Sequence, residues 1–464
     1  MANKDLNGAA SQLDLLASLI TSSVNVINTE YNAAGLPSPS LDTSSSVESN
    51  IVSNESRKKI VKANRTIEAA CAQLCASISR PEHSLLNFEE SACLRVASTA
   101  GIARLLLDKP EGVHIKQLSA SSGIDPDSLE RVLRLLTITH VFNEGKYIIY
   151  ILDVYPSFSP DVFANNKLSL NLATSETTRD IIALATRDTF TSATYLSDFL
   201  QTADPASAVE SPFQLAYGAP MMQYHNTPEG KKTVSIFMKG VTGWGEILGK
   251  SDMIHAFPWA DHFSSEKPIT ICDVGAGTGH IMLMLLRAFA SYSFRVVVQD
   301  RPAFIELGKQ LWSREYPEAL QEGRVDFVPF DFFADVPLGG CDIYYIRYCL
   351  HNWPDDKCLV ILSNIAKAMK AGNILLRTSD DEDETALRHS VSSLADAEAA
   401  PKPLLPNYGA ARFRDYAGDI NMLNLFNSKD RTLEEYVALG SRAGFVYERA
   451  WDTGESSIIE FKLE

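Results

Sequence analysis

Several absences narrow what this 464-residue chain can be. Its first residues, MANKDLNGAASQLDLLASLI, hold one lysine and no uninterrupted apolar run of signal or membrane-span length, so the expected location is the cytoplasm. The cysteines, Cys71, Cys75, Cys93, Cys272, Cys341, Cys349 and Cys358, are odd in number and form no C-x-x-C pair. That argues against a disulfide framework and against a zinc site, so no metal is expected. Positive charge is scarce: 42 Lys and Arg stand against 58 Asp and Glu, a formal net charge of −16. Such a surface repels phosphate backbones and anionic lipid, which excludes nucleic acid and membrane as main partners. No internal repeat is present. The remaining composition, 45% hydrophobic and 22% charged, is that of a globular chain long enough for two or three domains.

Texture changes along the chain suggest four segments. Residues 1–82 hold two helical runs. Residues 8–31 space Leu13, Leu16, Leu19, Ile20, Val24 and Ile27 at helical intervals. Residues 56–79 do the same with Ile60, Val61, Ile67, Ala70, Leu74 and Ile78. A Pro/Ser-rich linker, Gly35 to Asn54, separates them. These helices have no core of their own and must pack on the rest of the chain or on a second subunit. Residues 83–165 read as a winged-helix-like module. FEESACLRVASTAGIARLLLD is a helix, the next run is a helix-turn-helix with Asp125 as cap and Pro126 at a helix start, and FNEGKYIIYIL suggests a β-wing. DNA binding is the obvious use of that pattern. A purely structural role suits this one better, because its second helix offers Asp, Ser and Glu beside two arginines in an acidic chain. Residues 166–265 mix helix and loop and gather Phe213, Tyr217, Met221, Met222, Tyr224, Phe237, Met238 and Trp244, either as core or as one wall of a pocket.

From 266 to 464, strands alternate with helices: ITICDVGAG, RVVVQD, VDFVPFDFF, CDIYYIRYCL and NILLRTS are the strands between helical stretches. That order predicts an α/β, Rossmann-like, doubly wound, mostly parallel sheet. An acidic polar stretch, 380–412, interrupts it before a final helix, strand and strand.

The chemistry sits in this last segment. In ICDVGAGTGH, Gly275, Gly277 and Gly279 turn a strand into a helix with G-x-G-x-G spacing, tighter than the dinucleotide fingerprint. With Asp273 before it, the turn suits a ligand with an amino-acid tail and no pyrophosphate. Asp300 ends the next strand, where a carboxylate accepts hydrogen bonds from ribose hydroxyls. Asp331 and Phe332 close the third strand and offer an acceptor beside an aromatic face, as an adenine requires. His351, in IRYCLHNWPDD, follows a strand at the sheet edge where ligands bind. A neutral imidazole there can deprotonate a hydroxyl nucleophile. Asp430, in FNSKDRTLEEY, either orients that imidazole or caps the helix that follows.

Taken in order, DVGAGTGH, VVQDRP, FVPFDFF, RYCLHNWPDD and NSKDRTLEEY make residues from about 85 onward resemble the S-adenosylmethionine-dependent O-methyltransferases of plant phenolic and fungal polyketide or alkaloid pathways. The resemblance implies a homodimer built through the N-terminal helical and winged-helix region. It implies S-adenosylmethionine as cofactor, with Gly275 and Gly277 at its amino-acid end, Asp300 with the adjoining Arg301 at its ribose, and Asp331, Phe332 and Arg347 near its adenine. His351 becomes the catalytic base and Asp430 its acidic partner.

Three departures stand out: Asn352 where many relatives have Asp, LLRTSDDEDE after the fifth strand, and the long polar stretch 380–412. They keep a second reading in view, that of a methyltransferase-like pericyclase or dehydratase that binds the same donor without consuming it. Candidate acceptor-lining residues are Met221, Met222, Phe237, Trp244, Met422 and Phe426, which point to a small, apolar, aromatic or polyketide-derived molecule.

Overall fold

In the computed structural model, which describes residues 11–41, 54–79, 90–145, 161–202, 210–247, 254, 256–263, 268–379, 400–452 and 457–463, the chain divides into two units. One comprises Met1–Thr191, His225–Trp244 and Ala399–Phe413; the other comprises Ser192–Tyr224, Gly245–Glu398 and Arg414–Glu464.

In the first unit, the periodic run near the start forms the helix Gln12–Ala33. The Ser11 side chain accepts from the Asp14 N–H, and the Asp14 carboxylate accepts from the Ser11 N–H, so two otherwise orphaned donors are satisfied at its start. It pairs with the helix Asn54–Ile78. The missing core comes from far along the chain: Leu16, Ala69 and Ala70 bury against Leu404, Tyr408 and Ala411. The Gln73 side-chain amide donates to the Pro403 carbonyl at 3.2 Å. Leu13, Leu15, Val24 and Val26 of the first helix remain exposed.

The single helix expected over FEESACLRVASTAGIARLLLD is two, Glu90–Thr99 and Ile102–Leu105, because Gly101 adopts φ +66° and breaks the run. The helix-turn-helix is present as Ile115–Ser122 and Pro126–Ile138. The Asp125 carboxylate accepts from the Ser128 N–H at 3.0 Å, and Leu129, Leu133 and Leu136 are fully buried. Val162–Asn165 pairs antiparallel with both Phe142–Glu144 and Val113–His114. The remainder of the expected wing, 146–152, lies outside the described residues, as do residues 380–399 of the acidic stretch. Arg134, one of the two arginines of the second helix, is engaged by Glu130, Glu144 and Asp161. A guanidinium so occupied is poorly placed to contact phosphate.

The second unit is built on a seven-stranded sheet among the described residues: β1 (Ile269–Val274), β2 (Phe294–Asp300), β3 (Val325–Pro329), β4 (Ile343–Arg347), β5 (Ile374–Ser379), β6 (Phe445–Asp452) and β7 (Ser457–Leu463). The spatial order is β3-β2-β1-β4-β5-β7-β6. The first five strands are parallel, and β7 enters antiparallel between β5 and β6. Alternate residues feed two cores. Ile271, Val296, Val298 and Ile343 pack with Ile281, Leu285 and Trp312 on one face. Cys272, Val274, Tyr344 and Ile346 pack with Ile361, Ile365 and Leu439 on the other. A strand buried on both faces explains why its sequence is almost continuously apolar instead of alternating. The order reverses between β1 and β4, so the carboxyl ends of those strands open the crevice where such sheets bind ligands. Among the described residues, no helix is long and apolar enough to cross a membrane.

Candidate active site

The glycine turn leaves β1 at Val274, with Gly275, Gly277 and Gly279 at φ +73°, +59° and +72°. Two of these glycines are also demanded by close packing. A β-carbon on Gly275 would lie 2.6 Å from Cys349 Sγ, and one on Gly279 would lie 2.7 Å from Val298. A β-carbon on Gly277 would meet nothing within 4 Å. Open space beside a backbone held at positive φ is the cradle that a ligand approaching the main chain would occupy.

Asp300, at the end of β2, closes the turn from the other side. Its Oδ2 accepts from the Gly277 N–H at 2.7 Å and its Oδ1 from the Arg301 N–H at 2.7 Å. Burial pushes its carboxyl above the usual range, against the pull of these two N–H groups. Arg301 takes part through its backbone; its guanidinium lies 5.1 Å over the Phe304 ring. Behind the turn, Asp273 is buried and pushed up to about 8, first by desolvation and then by the Asp300 charge, with Arg347 opposing. Arg347 ends β4, with its guanidinium 4.3 Å over the Tyr348 ring, and its buried Nε has no hydrogen-bond partner among the described residues. A buried donor left in that state waits for an acceptor.

After β3, Asp331 folds a tight turn: its Oδ1 accepts from the Phe333 N–H and its own N–H donates to Asp335 Oδ2, each at 2.9 Å. This turn sets Phe332 edge-on to Phe333 at 4.8 Å and to Trp353 at 6.2 Å. It also brings Phe332 beside the glycine turn, 3.6 Å from where a Gly275 β-carbon would be.

His351 lies in the single 3₁₀ turn Leu350–Asn352 that follows β4. Its Nδ1 is 2.8 Å from Asp430 Oδ1, and the two side chains are 14% and 4% exposed. An ionised carboxylate can only accept, so Nδ1 is the donor of this pair, and in the neutral form of the imidazole Nε2 carries the lone pair. Of the two roles open to Asp430, the orienting one is observed. The helix Leu433–Arg442 is capped by Thr432, whose hydroxyl accepts from the Glu435 N–H, with Glu435 returning to the Thr432 N–H. Asn352 serves the turn as well, donating to the Tyr348 carbonyl at 3.3 Å. The Cys349 thiol donates to the Gly275 carbonyl at 3.4 Å and so packs the His351 turn against the glycine turn.

The apolar candidates divide between the units. Met422 and Phe426 lie on the helix Phe413–Phe426, and Met221 and Met222 on the helix Met221–Tyr224, all in the unit that holds His351. Phe237 and Trp244 lie on the helix Val234–Ile247 in the first unit, with Phe237 5.1 Å from the His225 ring. Sequence reading missed Asp419, whose Oδ1 accepts from the Asp430 N–H at 2.9 Å, and Arg431, which is buried. Arg431 sits inside the NSKDRTLEEY block, but nothing local marks a charged residue there as interior. Among the described residues, no three His, Cys, Asp or Glu side chains are grouped to hold a metal.

Residues 194–394 match the O-methyltransferase domain. The chain is 37% identical over 461 residues to a 3-O-methyltransferase of Phanerochaete chrysosporium, covering 97% of this chain and 98% of the relative. It is 30% identical over 449 residues to an O-methyltransferase of Aspergillus fumigatus, covering 88% of each. Among solved structures, mitomycin 7-O-methyltransferase superposes with a TM-score of 0.63 at 23% identity, covering 85% of this chain and 99% of that one. A pericyclic reaction enzyme superposes with a TM-score of 0.67 at 17% identity, covering 97% and 100%. At these identities the likenesses between structures speak for the fold.

Proposed function

The chain belongs to the S-adenosylmethionine-dependent O-methyltransferases, and from that membership we propose that it methylates a hydroxyl group of a small apolar or aromatic secondary metabolite, with His351 as the general base. The observation that carries the mechanism is the pair His351 Nδ1 and Asp430 Oδ1 at 2.8 Å, on a turn packed against the glycine loop. With its proton on Nδ1, the imidazole presents a basic Nε2, which takes the proton of the acceptor hydroxyl. Asp430 then holds the imidazolium by accepting its Nδ1–H. General-base assistance of this kind contributes roughly 10²–10⁴-fold in rate.

The residues around the turn fit the methyl donor. Gly275 and Gly277 leave room at the backbone, Asp300 lines the ribose side, and Asp331 and Phe332 the adenine side. Arg347 brings its unpartnered Nε. When bound, S-adenosylmethionine supplies an electrophilic methyl group. The protein's part is to hold the acceptor oxygen in line with it and to receive the proton. Met221, Met222, Met422 and Phe426, in the unit that holds His351, give the acceptor its apolar surroundings in this reading. The exposed apolar side chains Leu13, Leu15, Val24 and Val26 support a homodimer formed through the N-terminal helices.

The test is incubation of the purified protein with methyl-labelled S-adenosylmethionine and candidate phenolic or polyketide acceptors, followed by mass spectrometry. Labelled product formed one-for-one with S-adenosylhomocysteine, and lost in His351→Ala, is the expected result. A product isomeric with its substrate and an unconsumed donor would overturn it.

A further inference from the structure

The 3₁₀ turn that carries His351 is weakly held by its own backbone. Its internal bonds, Asn352 N–H to Cys349 O and Trp353 N–H to Leu350 O, are both 3.2 Å, and it spans only Leu350–Asn352. Asp430 stops rotation of the imidazole ring but does nothing for the peptide units that aim it.

Those peptide units are held from elsewhere. Arg431, 1% exposed, donates from Nη1 to the Leu350 carbonyl at 3.1 Å and from Nη2 to the Trp353 carbonyl at 2.8 Å. These carbonyls flank His351 and Asn352 on either side. The same guanidinium is anchored on Asp355 Oδ1, through Nε at 2.9 Å and Nη2 at 2.8 Å. The Cys358 thiol has both carbonyls within reach of its one S–H, at 3.1 and 3.3 Å, and burial pushes that thiol up to about 11, so it stays a donor. Burying a guanidinium is costly unless its N–H groups find acceptors, and here two of its bonds go to the carbonyls that flank the turn and two to Asp355.

We infer that Arg431 is a positioning residue: anchored on Asp355, it clamps both ends of the His351 turn, while its chain neighbour Asp430 locks the ring. Two consecutive residues thus remove the backbone freedom and the side-chain freedom of one imidazole. Lysine cannot replace the fork, because an ammonium on a flexible stem cannot span the two carbonyls and the carboxylate in one fixed geometry. The inference rests on His351 acting as the base.

The test is steady-state kinetics of Arg431→Lys and Asp355→Asn, alone and combined with His351→Ala, with S-adenosylmethionine affinity measured by calorimetry. A misaimed base costs on the order of 10²-fold in kcat. The expected result is such a fall in Arg431→Lys and a smaller one in Asp355→Asn, with donor affinity and acceptor KM within about twofold, and no further loss when either change is added to His351→Ala. Asp355 is half-exposed, so its variant carries the test if Arg431→Lys fails to fold. Wild-type kcat in a folded variant, donor affinity falling in step with kcat, or an equal loss in the His351→Ala background would overturn this inference alone. A His351→Ala protein of near wild-type rate would overturn the base assignment and this inference with it.

Discussion

Cys349 Sγ occupies the space that a side chain on Gly275 would need, only 2.6 Å from the ideal β-carbon position. The glycine turn and the His351 turn therefore meet through a glycine and a thiol. Gly275→Ala is expected to destabilise the fold by about 1–3 kcal/mol through overpacking and to weaken donor binding. Adding Cys349→Ala should recover part of the stability, the remainder being the strain of φ +73°. Gly277→Ala, with nothing within 4 Å, should cost only the backbone strain, about 1 kcal/mol, yet still weaken donor binding. Thermal melts and calorimetric titration of the three variants check this ordering.

His351→Ala is expected to lower kcat by roughly 10²–10⁴-fold, and Asp430→Asn by less. An asparagine can still meet Nδ1, but it removes the charge that supports imidazolium and invites the wrong tautomer. Donor affinity should be unchanged in both. Single-turnover label transfer beside calorimetry separates the two effects; a parallel loss of donor affinity would place His351 in binding instead of proton transfer.

Asp300 uses both carboxylate oxygens on the backbone, at Gly277 and Arg301. Asp300→Asn keeps one acceptor and turns an NH₂ toward the other N–H, so one bond is lost. A buried donor left unsatisfied costs about 1–3 kcal/mol, and donor affinity should fall about tenfold or more. Isothermal titration of the variant measures it directly.

Asp273 makes stability depend on pH. Its folded-state value is raised to about 8 from 3.8, so the protonated acid is the form the fold tolerates. Its favourable contribution is complete below about pH 4 and is lost as pH rises toward 8, because the unfolded chain ionises this carboxyl freely while the folded protein keeps it protonated in its buried site. Asp273→Asn removes that loss. Urea midpoints measured between about pH 5 and pH 8 should shift progressively in favour of the variant. A constant difference across that range would mean that Asp273 is already ionised in the folded protein.

Much of the second unit was legible in the chain. Continuous apolar runs ending in Gly275, Asp300, Asp331 and His351 marked strands buried on both faces, and their alternation with helices marked a doubly wound sheet. The grouping of Gly275, Asp300, Asp331 and His351 could be read because such a sheet delivers its strand ends to one edge, so spacing along the chain becomes proximity in space. The break at Gly101 was harder to see, since an isolated glycine inside a helical pattern is compatible with either outcome. The partner of the N-terminal helices was invisible for another reason: Leu404, Tyr408 and Ala411 lie in a stretch whose composition reads as loop.

By itself, then, the sequence determined which elements form, in which order, and which residues arrive at the carboxyl edge of the sheet, because periodicity, glycine placement and chain connectivity are local or follow from topology. The tertiary structure alone decided that Asp430 serves His351 while Thr432 caps the helix, and that the charged Arg431 lies inside, bound to the Leu350 and Trp353 carbonyls. Those choices depend on which acceptors stand within hydrogen-bond reach at sequence separations of 79, 81 and 78, and no local pattern encodes such distances.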